Sequence, residues 1–341
     1  MVVIPGSPLD EKCRADGLKC MSFDKNKFSV DFREGVQTQK WQVVHLHSTQ
    51  DLRLIWPTLL KAKLKKLSLP KIILQTHILI SHSKKDPMHF LQYLVVDEMW
   101  CSSEPAKKML EKFIPIAKEK IKVIRYGRKI ENTLSSFLPR SEARKQLGIA
   151  SDAIAVGLVS RIDPQKGIKE FLEGAIPLIK EKRNLNLIFI GGKTKDDPKA
   201  WSYAEEIEKF YKSLPNDLAQ RIHFKGELKE SFRYMPALDL YALPSYKECF
   251  ALSLLEAQLA GLPVIGTDSG GTPDVVIEGK TGYLFKPRDY KSAGDALQRA
   301  LSSQQLWHDF GDRAKARIAD EFNFEKISTQ IIASYEEAKR Y

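Results

Sequence analysis

The 341-residue sequence predicts an α/β protein of two domains, both with sheets of the open α/β type. Three observations predict it. An apolar run at residues 155–160 leads into a turn rich in Gly and Pro. Apolar residues at helical spacing follow the turn: Ile168, Phe171, Leu172 and Ile176. Strand, turn and helix in that order are the repeating part of a βαβ unit. Apolar runs of strand length recur on both sides of this segment, at residues 42–47 and 71–77 before it and at 187–192 and 222–226 after it. The length suits two domains of ordinary size, and a hydrophobic content of 43% is enough for packed cores.

Residues 1–6, Met-Val-Val-Ile-Pro-Gly, lack the charged start and long apolar stretch of a secretion signal. Residues 42–47 read as a strand ending in His47, and residues 71–77 as another ending in His77. Between them, residues 59–67 interleave leucines with Lys61, Lys63, Lys65 and Lys66. Such a basic amphipathic stretch either lies on an anionic bilayer surface or forms a solvated helix face. Residues 97–102 and 121–127 supply two further strands, and a linker is expected through residues 138–140. The whole charge excess of +11 falls in residues 1–140, and acids and bases balance in the remainder. No aromatic stacking pattern or recognition motif accompanies the lysines, so nucleic acid is not an expected partner. No run approaches the ~18 apolar residues of a membrane-crossing helix. Cys13, Cys20, Cys101 and Cys249 show no paired metal-ligand spacing, and reduced cytoplasmic thiols are the expectation.

In the second half, residues 187–192 and 222–226 follow as strands ending in Gly192 and Gly226. Residues 242–245, Ala-Leu-Pro-Ser, precede an acidic segment, and a strand at 264–267 leads into Gly270-Gly271. The local run Asp268-Ser269-Gly270-Gly271 is like the serine loop of trypsin-like proteases. Its strand–loop–helix surroundings are not those of an all-β barrel, and it is set aside. Ile327, Ile331, Ile332, Tyr335 and Ala338 continue at helical spacing toward the C-terminus.

The segment from Glu248 to Glu256 is the most informative. Two carboxylates bracket seven mostly apolar residues. Glu248 is expected in a loop, with a short helix from about Ala251 stopped by Gly261 and Pro263. That helix carries Leu252, Leu254, Leu255, Ala257, Leu259 and Ala260, so it is expected to be buried. A buried Glu256 needs a hydrogen-bonding partner, and a ligand hydroxyl would serve. Glu248 sits beside backbone amides that lack intrahelical acceptors. A capping acid and a solvated acid on an ordinary core helix is the alternative. Earlier in the chain, Arg161 and Lys166 flank the turn after the strand at 155–160. Ligands of open α/β sheets bind at such strand ends, and two cations there can neutralise a diphosphate.

Together these segments resemble the retaining glycosyltransferases of family 4, the glycosyl transferases group 1, which have the GT-B fold. The family pattern is a strand ending in Gly-Arg, then Lys-Gly, then a Glu, seven residues and a second Glu. The counterparts here are Ser160-Arg161, Lys166-Gly167, and Glu248 with Glu256. The resemblance implies two Rossmann-like parallel-sheet domains facing each other across a cleft. Residues 1–138 would form the acceptor-side domain, residues 139–322 the donor-binding domain, and residues 323–341 a helix crossing back to the first. Family members open with a strand, a Gly-rich loop and a helix before the segment that resembles residues 2–8. The N-terminal domain is therefore expected to be shortened.

By position, the resemblance makes Arg161 and Lys166 the holders of a donor diphosphate. Glu248 would bind hydroxyls of the transferred sugar, helped by the amides of Phe250 and Ala251, where the family usually has Gly in place of Ala251. Glu256 would hold the ribose, and Gly192 and Gly226 would border the base. His77 would contact the reacting sugar, with His47 a second candidate. The implied activity is hexosyl transfer with retention from a nucleotide-diphosphate sugar to a glycan or lipid-linked acceptor. No metal or other cofactor is implied, and UDP-sugars are favoured. The setting would be cell-envelope glycan synthesis in the cytoplasm or at the inner membrane face. A catalytically impaired protein that binds sugar nucleotide or associates with membrane is the alternative, through loss of the N-terminal loop. Another GT-B enzyme, an epimerase or phosphorylase, ranks below both.

Overall fold

Strands with apolar residues on both faces need cover on both sides, and crossover helices supply it while keeping the strands parallel. A computed structural model shows this arrangement twice. It describes residues 2–3, 8–17, 21–22, 30, 32, 34–35, 38, 41–194 and 197–337. The chain falls into two units. The first comprises Met1–Cys101, Met109–Lys122 and Ile332–Tyr341, and the second Ser102–Lys108 and Val123–Ile331.

The first unit holds a four-stranded sheet of order β3-β4-β5-β6, made by Val43–Leu46, Lys71–Gln75, Glu98–Cys101 and Ile121–Val123. β3 and β4 pair parallel with Leu46 opposite Leu74, and β4 and β5 pair parallel with Leu74 opposite Met99. That register sets the ends of β3 and β4 side by side, so His47 and His77 emerge as neighbours. A separate parallel pair joins β1 (Val2–Val3) to β2 (Met21–Ser22). In the segment tied to the expected N-terminal shortening, residues 4–7 lie outside the described residues. The crossover between β3 and β4 is the helix Thr49–Leu64. Ser48 caps it by accepting from the Gln50 amide, and Lys61 and Lys63 complement the dipole of its last turn. Leu52, Ile55, Leu59 and Ala62 form its buried face. At β5, Glu98 receives Lys122, Lys71 and the Trp100 indole N–H, each at 2.7–2.8 Å. Burial alone would push this carboxyl up, but those hydrogen bonds outweigh it and hold it below the usual range.

The second unit holds a six-stranded sheet of order β12-β11-β10-β7-β8-β9, and all its pairs are parallel. β7 is Ile154–Val159, β8 Leu185–Ile190, β9 Ile222–Phe224, β10 Leu240–Leu243, β11 Val264–Thr267 and β12 Gly282–Phe285. Counted within the unit and read from β9, the order is 3-2-1-4-5-6, the doubly wound arrangement. Chain direction across the sheet reverses between β7 and β10, so a crevice opens beyond their carboxyl ends. Two apolar cores cover the faces, one around Phe171, Leu187 and Phe310, the other around Ile188, Tyr241 and Phe322. Among the described residues no helix is long and apolar enough to cross a membrane.

Candidate active site

β7 ends at Val159, and Ser160 carries the chain to Arg161. Asp163 then accepts from the Gln165 amide at 2.8 Å, which starts a single helical turn at Pro164–Lys166. Gly167 follows with φ +61 and begins the helix Ile168–Glu181. A side chain at Gly167 would overlap the Pro244 carbonyl oxygen and crowd the Tyr246 ring. Glycine is thus required twice over, by conformation and by the close approach of the β10 exit. The Tyr246 amide donates to the Gln165 carbonyl at 2.8 Å, fastening the two loops together. This fixes where Lys166 points.

Lys166 Nζ forms a short ion pair with Glu248 Oε1, both partners being largely buried. The loop bearing Glu248 is backed by Gly270 and Gly271, where added side chains would overlap the Glu248 and Cys249 carbonyl oxygens. The Gly271 amide donates to the Glu248 carbonyl at 2.7 Å. Phe250 and Ala251 are buried, and the helix Leu252–Leu259 starts just after them with no side-chain cap. Its first amides therefore remain available to an acceptor. A pocket of about 220 Å3 lies at the β7/β10 reversal, with Arg161, Lys166, Glu248, Phe250 and Ala251 in its wall. Arg161 is exposed and donates to Thr194 Oγ1 at 3.1 Å. The structure thus gathers five of the ten residues singled out by sequence into one pocket, with two cations, a carboxylate and a helix start converging on it.

Glu256 is buried as expected, but its partner is a protein group. Arg128 forms an ion pair with its Oε1. Sequence reasoning missed Arg128 as a site residue. No local signal marks it, because its partner lies far along the chain. Gly192 and Gly226 follow β8 and β9, and neither is in the pocket wall. The Gly191 amide donates to the Gly226 carbonyl at 2.8 Å, and a side chain at Gly226 would meet open space. Cys249 lies against Ser102, with Sγ and Oγ 3.2 Å apart, and burial pushes its thiol up.

His77 belongs to the first unit. Its ring stacks on His47 at 5.3 Å, and His47 Nδ1 lies 3.1 Å from His77 Nε2. His45 adjoins them, 2.6 Å from the Tyr335 hydroxyl. Burial lowers all three imidazoles, His45 to about 4, with His47 and His77 adding to its drop. Burial thus favours their neutral forms, which accept or donate hydrogen bonds rather than carry charge. Among the described residues no three His, Cys, Asp or Glu side chains converge as a metal site.

The profile of the family described as glycosyl transferases group 1 matches residues 139–317, just over half of the chain. The chain belongs to that family. The matched region contains the whole β7–β12 sheet and every pocket residue named above. Similar curated proteins include D-inositol 3-phosphate glycosyltransferase of Corynebacterium efficiens, 32% identical over 205 residues, covering 58% of this chain and 46% of that protein. N-acetyl-alpha-D-glucosaminyl L-malate synthase of Bacillus anthracis is 26% identical over 200 residues, covering 59% and 50%. The chain spans about half the length of the curated relatives it matches. Among solved structures, HepE of Anabaena in complex with UDP superposes with a TM-score of 0.82 at 18% identity, over 98% of this chain and 91% of that one. The fold is that of the GT-B glycosyltransferases, with two parallel-sheet α/β units.

Proposed function

We propose that this chain is a retaining glycosyltransferase that moves a hexosyl group from a nucleotide-diphosphate sugar to a hydroxyl of a glycan or lipid-linked acceptor, without a metal ion. The carrying observation is the Lys166–Glu248 pair beside Arg161 at the β7/β10 reversal. When the glycosidic C–O bond to the diphosphate breaks, negative charge grows on the departing oxygens. Arg161 and Lys166 supply fixed positive charge where it grows. Glu248, released from Lys166 as the lysine turns to phosphate, accepts hydrogen bonds from sugar hydroxyls. The amides of Phe250 and Ala251 supplement it. Glu256, fixed through one oxygen by Arg128, offers the other to the ribose, and Gly192 and Gly226 border the base. His77 contacts the reacting sugar as a neutral imidazole.

UDP is the favoured nucleotide, supported by the UDP complex of the similarly folded HepE. Cell-envelope glycan synthesis on the cytoplasmic side is the setting proposed with it. A thermal-shift panel of UDP-, GDP- and ADP-sugars tests the donor pocket, since a ligand that binds only the folded chain raises Tm. Stabilisation by one nucleotide class followed by product formation with that donor is the expected result. Near-normal turnover by Glu248→Ala would remove the proposed role. Donor-dependent stabilisation with no transfer to any acceptor would favour the non-catalytic binding protein.

A further inference from the structure

β8 ends at Ile190, and Gly191 and Gly192 carry the chain to Lys193, which forms a parallel bridge with Ile162 beside Arg161. Arg161 donates to Thr194 Oγ1 at 3.1 Å, so this segment adjoins the wall of the pocket. The helix Pro198–Lys212 follows, capped by Asp197, which accepts from the Lys199 amide at 2.9 Å. Ala200, Ala204 and Ile207 form its buried face. The Tyr203 hydroxyl accepts from the Lys169 amide at 3.0 Å, which ties this helix to the start of Ile168–Glu181, just behind Lys166. Trp201, in the first turns of the helix, is left 49% exposed, with the Lys193 ammonium 4.6 Å from its ring centre.

Gly226 opens the loop after β9, and Glu227 follows it. A Cβ added at Gly192 would lie 3.5 Å from Glu227 Oε2, so this carboxylate stands against the glycine. Glu227 is exposed and makes no hydrogen bond or ion pair among the described residues. Trp201, Lys193, Gly192 and Glu227 all belong to the second unit. A large aromatic ring in water beside a glycine-lined strand end is a ready platform for a planar group. An exposed cation–π contact is weaker than the stacking of a base on an indole, so a base can displace Lys193 from the ring. A carboxylate offers acceptors only. It takes the imino N–H that uracil carries at N3, and it opposes the bare N3 of cytosine.

We infer that Trp201 is the stacking platform for the base of the donor and that Glu227 accepts the imino N–H of that base. Together they select uracil over cytosine. The inference rests on the nucleotide-sugar reading of the pocket and adds to it the residues that recognise the base.

Isothermal titration of the full chain with UDP and with CDP, alongside its tryptophan fluorescence, tests it. UDP is expected to bind at least roughly 10-fold more tightly than CDP and to quench the fluorescence. Trp201→Ala is expected to weaken UDP binding roughly 10-fold, the usual scale for one stacked base. Trp201→Phe should keep most of the affinity and lose the quench. Glu227→Gln should bring UDP and CDP to within about 3-fold of each other, because an amide donates as well as accepts. Both positions are exposed, and ligand-free melts verify that each variant remains folded. UDP binding and quench that are unchanged in both Trp201 variants overturn the inference while leaving the donor pocket standing. Equal affinities for UDP and CDP in the wild type overturn it as well. No binding of UDP by the folded wild type brings down the donor reading, and the inference with it.

Discussion

The Arg128 guanidinium closes on the Glu256 carboxylate, supplying the counter-charge that a buried acid in an apolar helix requires. Breaking a fully buried pair from one side costs ~3–5 kcal/mol. Arg128 keeps some contact with water, so Arg128→Gln is expected to cost about 1–3 kcal/mol in urea unfolding. In a transfer assay the same variant should raise the donor KM more than it lowers kcat, because it disturbs the nucleotide end rather than the bond being broken. A kcat loss at unchanged KM would count against the ribose role of Glu256. Adding Glu256→Gln to Arg128→Gln closes a double-mutant cycle, whose coupling should be well above zero.

Lys166 and Glu248 hold each other in the ligand-free pocket. Lys166→Ala is expected to lower kcat by roughly 10²–10³, the usual worth of one electrostatic donor at a developing charge. It should also free Glu248, so inorganic pyrophosphate ought to bind this variant more weakly than the wild type. Isothermal titration with pyrophosphate checks this without any acceptor. Unchanged affinity would place the diphosphate elsewhere.

The architecture of the second unit was legible because its signals are local. The run 155–160, the Asp163-Pro164 turn and Gly167 lie within a dozen or so residues, and each constrains its neighbours. The Arg128–Glu256 pair was not legible, because its members are far apart in sequence and meet only through packing. A guanidinium near a turn looks the same whether it meets solvent or a buried acid. His47 and His77 were read as separate strand ends, and their stacking needed the β3/β4 register. The apolar residues of Pro87–Tyr93 gave no warning of exposure, since a short apolar run reads as core. The buried helix expected from about Ala251 is found as Leu252–Leu259, buried from Leu254 onward, with only its first turn at Leu252 exposed.

Gly167 joins the lysine turn to the helix behind it at φ +61, against the Pro244 carbonyl. Gly167→Ala is expected to destabilise by about 1–3 kcal/mol through the backbone conformation. The overlap with Pro244 adds to that by prying the Tyr246 loop from Gln165. The measurable pair of effects is a lower Tm together with loss of the UDP-sugar thermal shift. A variant with lowered Tm and a full donor shift would show that the turn stabilises the fold without positioning Lys166. Gly226→Ala is a useful contrast, because its added methyl meets no neighbour and only its φ of +70 opposes the change.

His45 provides a pH test of the first unit. Its pKa is pushed from 6.5 down to about 4, first by burial and then by His47 and His77. The unfolded chain therefore binds more protons than the folded one between those values. Stability should fall as pH is lowered through this window and level off below about 4 for this group. His47 and His77, both lowered by burial, add to the slope in the upper part of the window. Glu98, held below the usual range, contributes only at the acidic end, where its protonation removes the partner of Lys71 and Lys122. Urea unfolding of wild type and His45→Gln at steps from pH 7 to pH 5 separates these terms. The wild-type slope should exceed that of the variant by up to about 1.4 kcal/mol per pH unit, the value for one proton. Parallel slopes would mean that His45 titrates normally in the fold, and that its contacts with Tyr335 and Trp100 do not exclude its charged form.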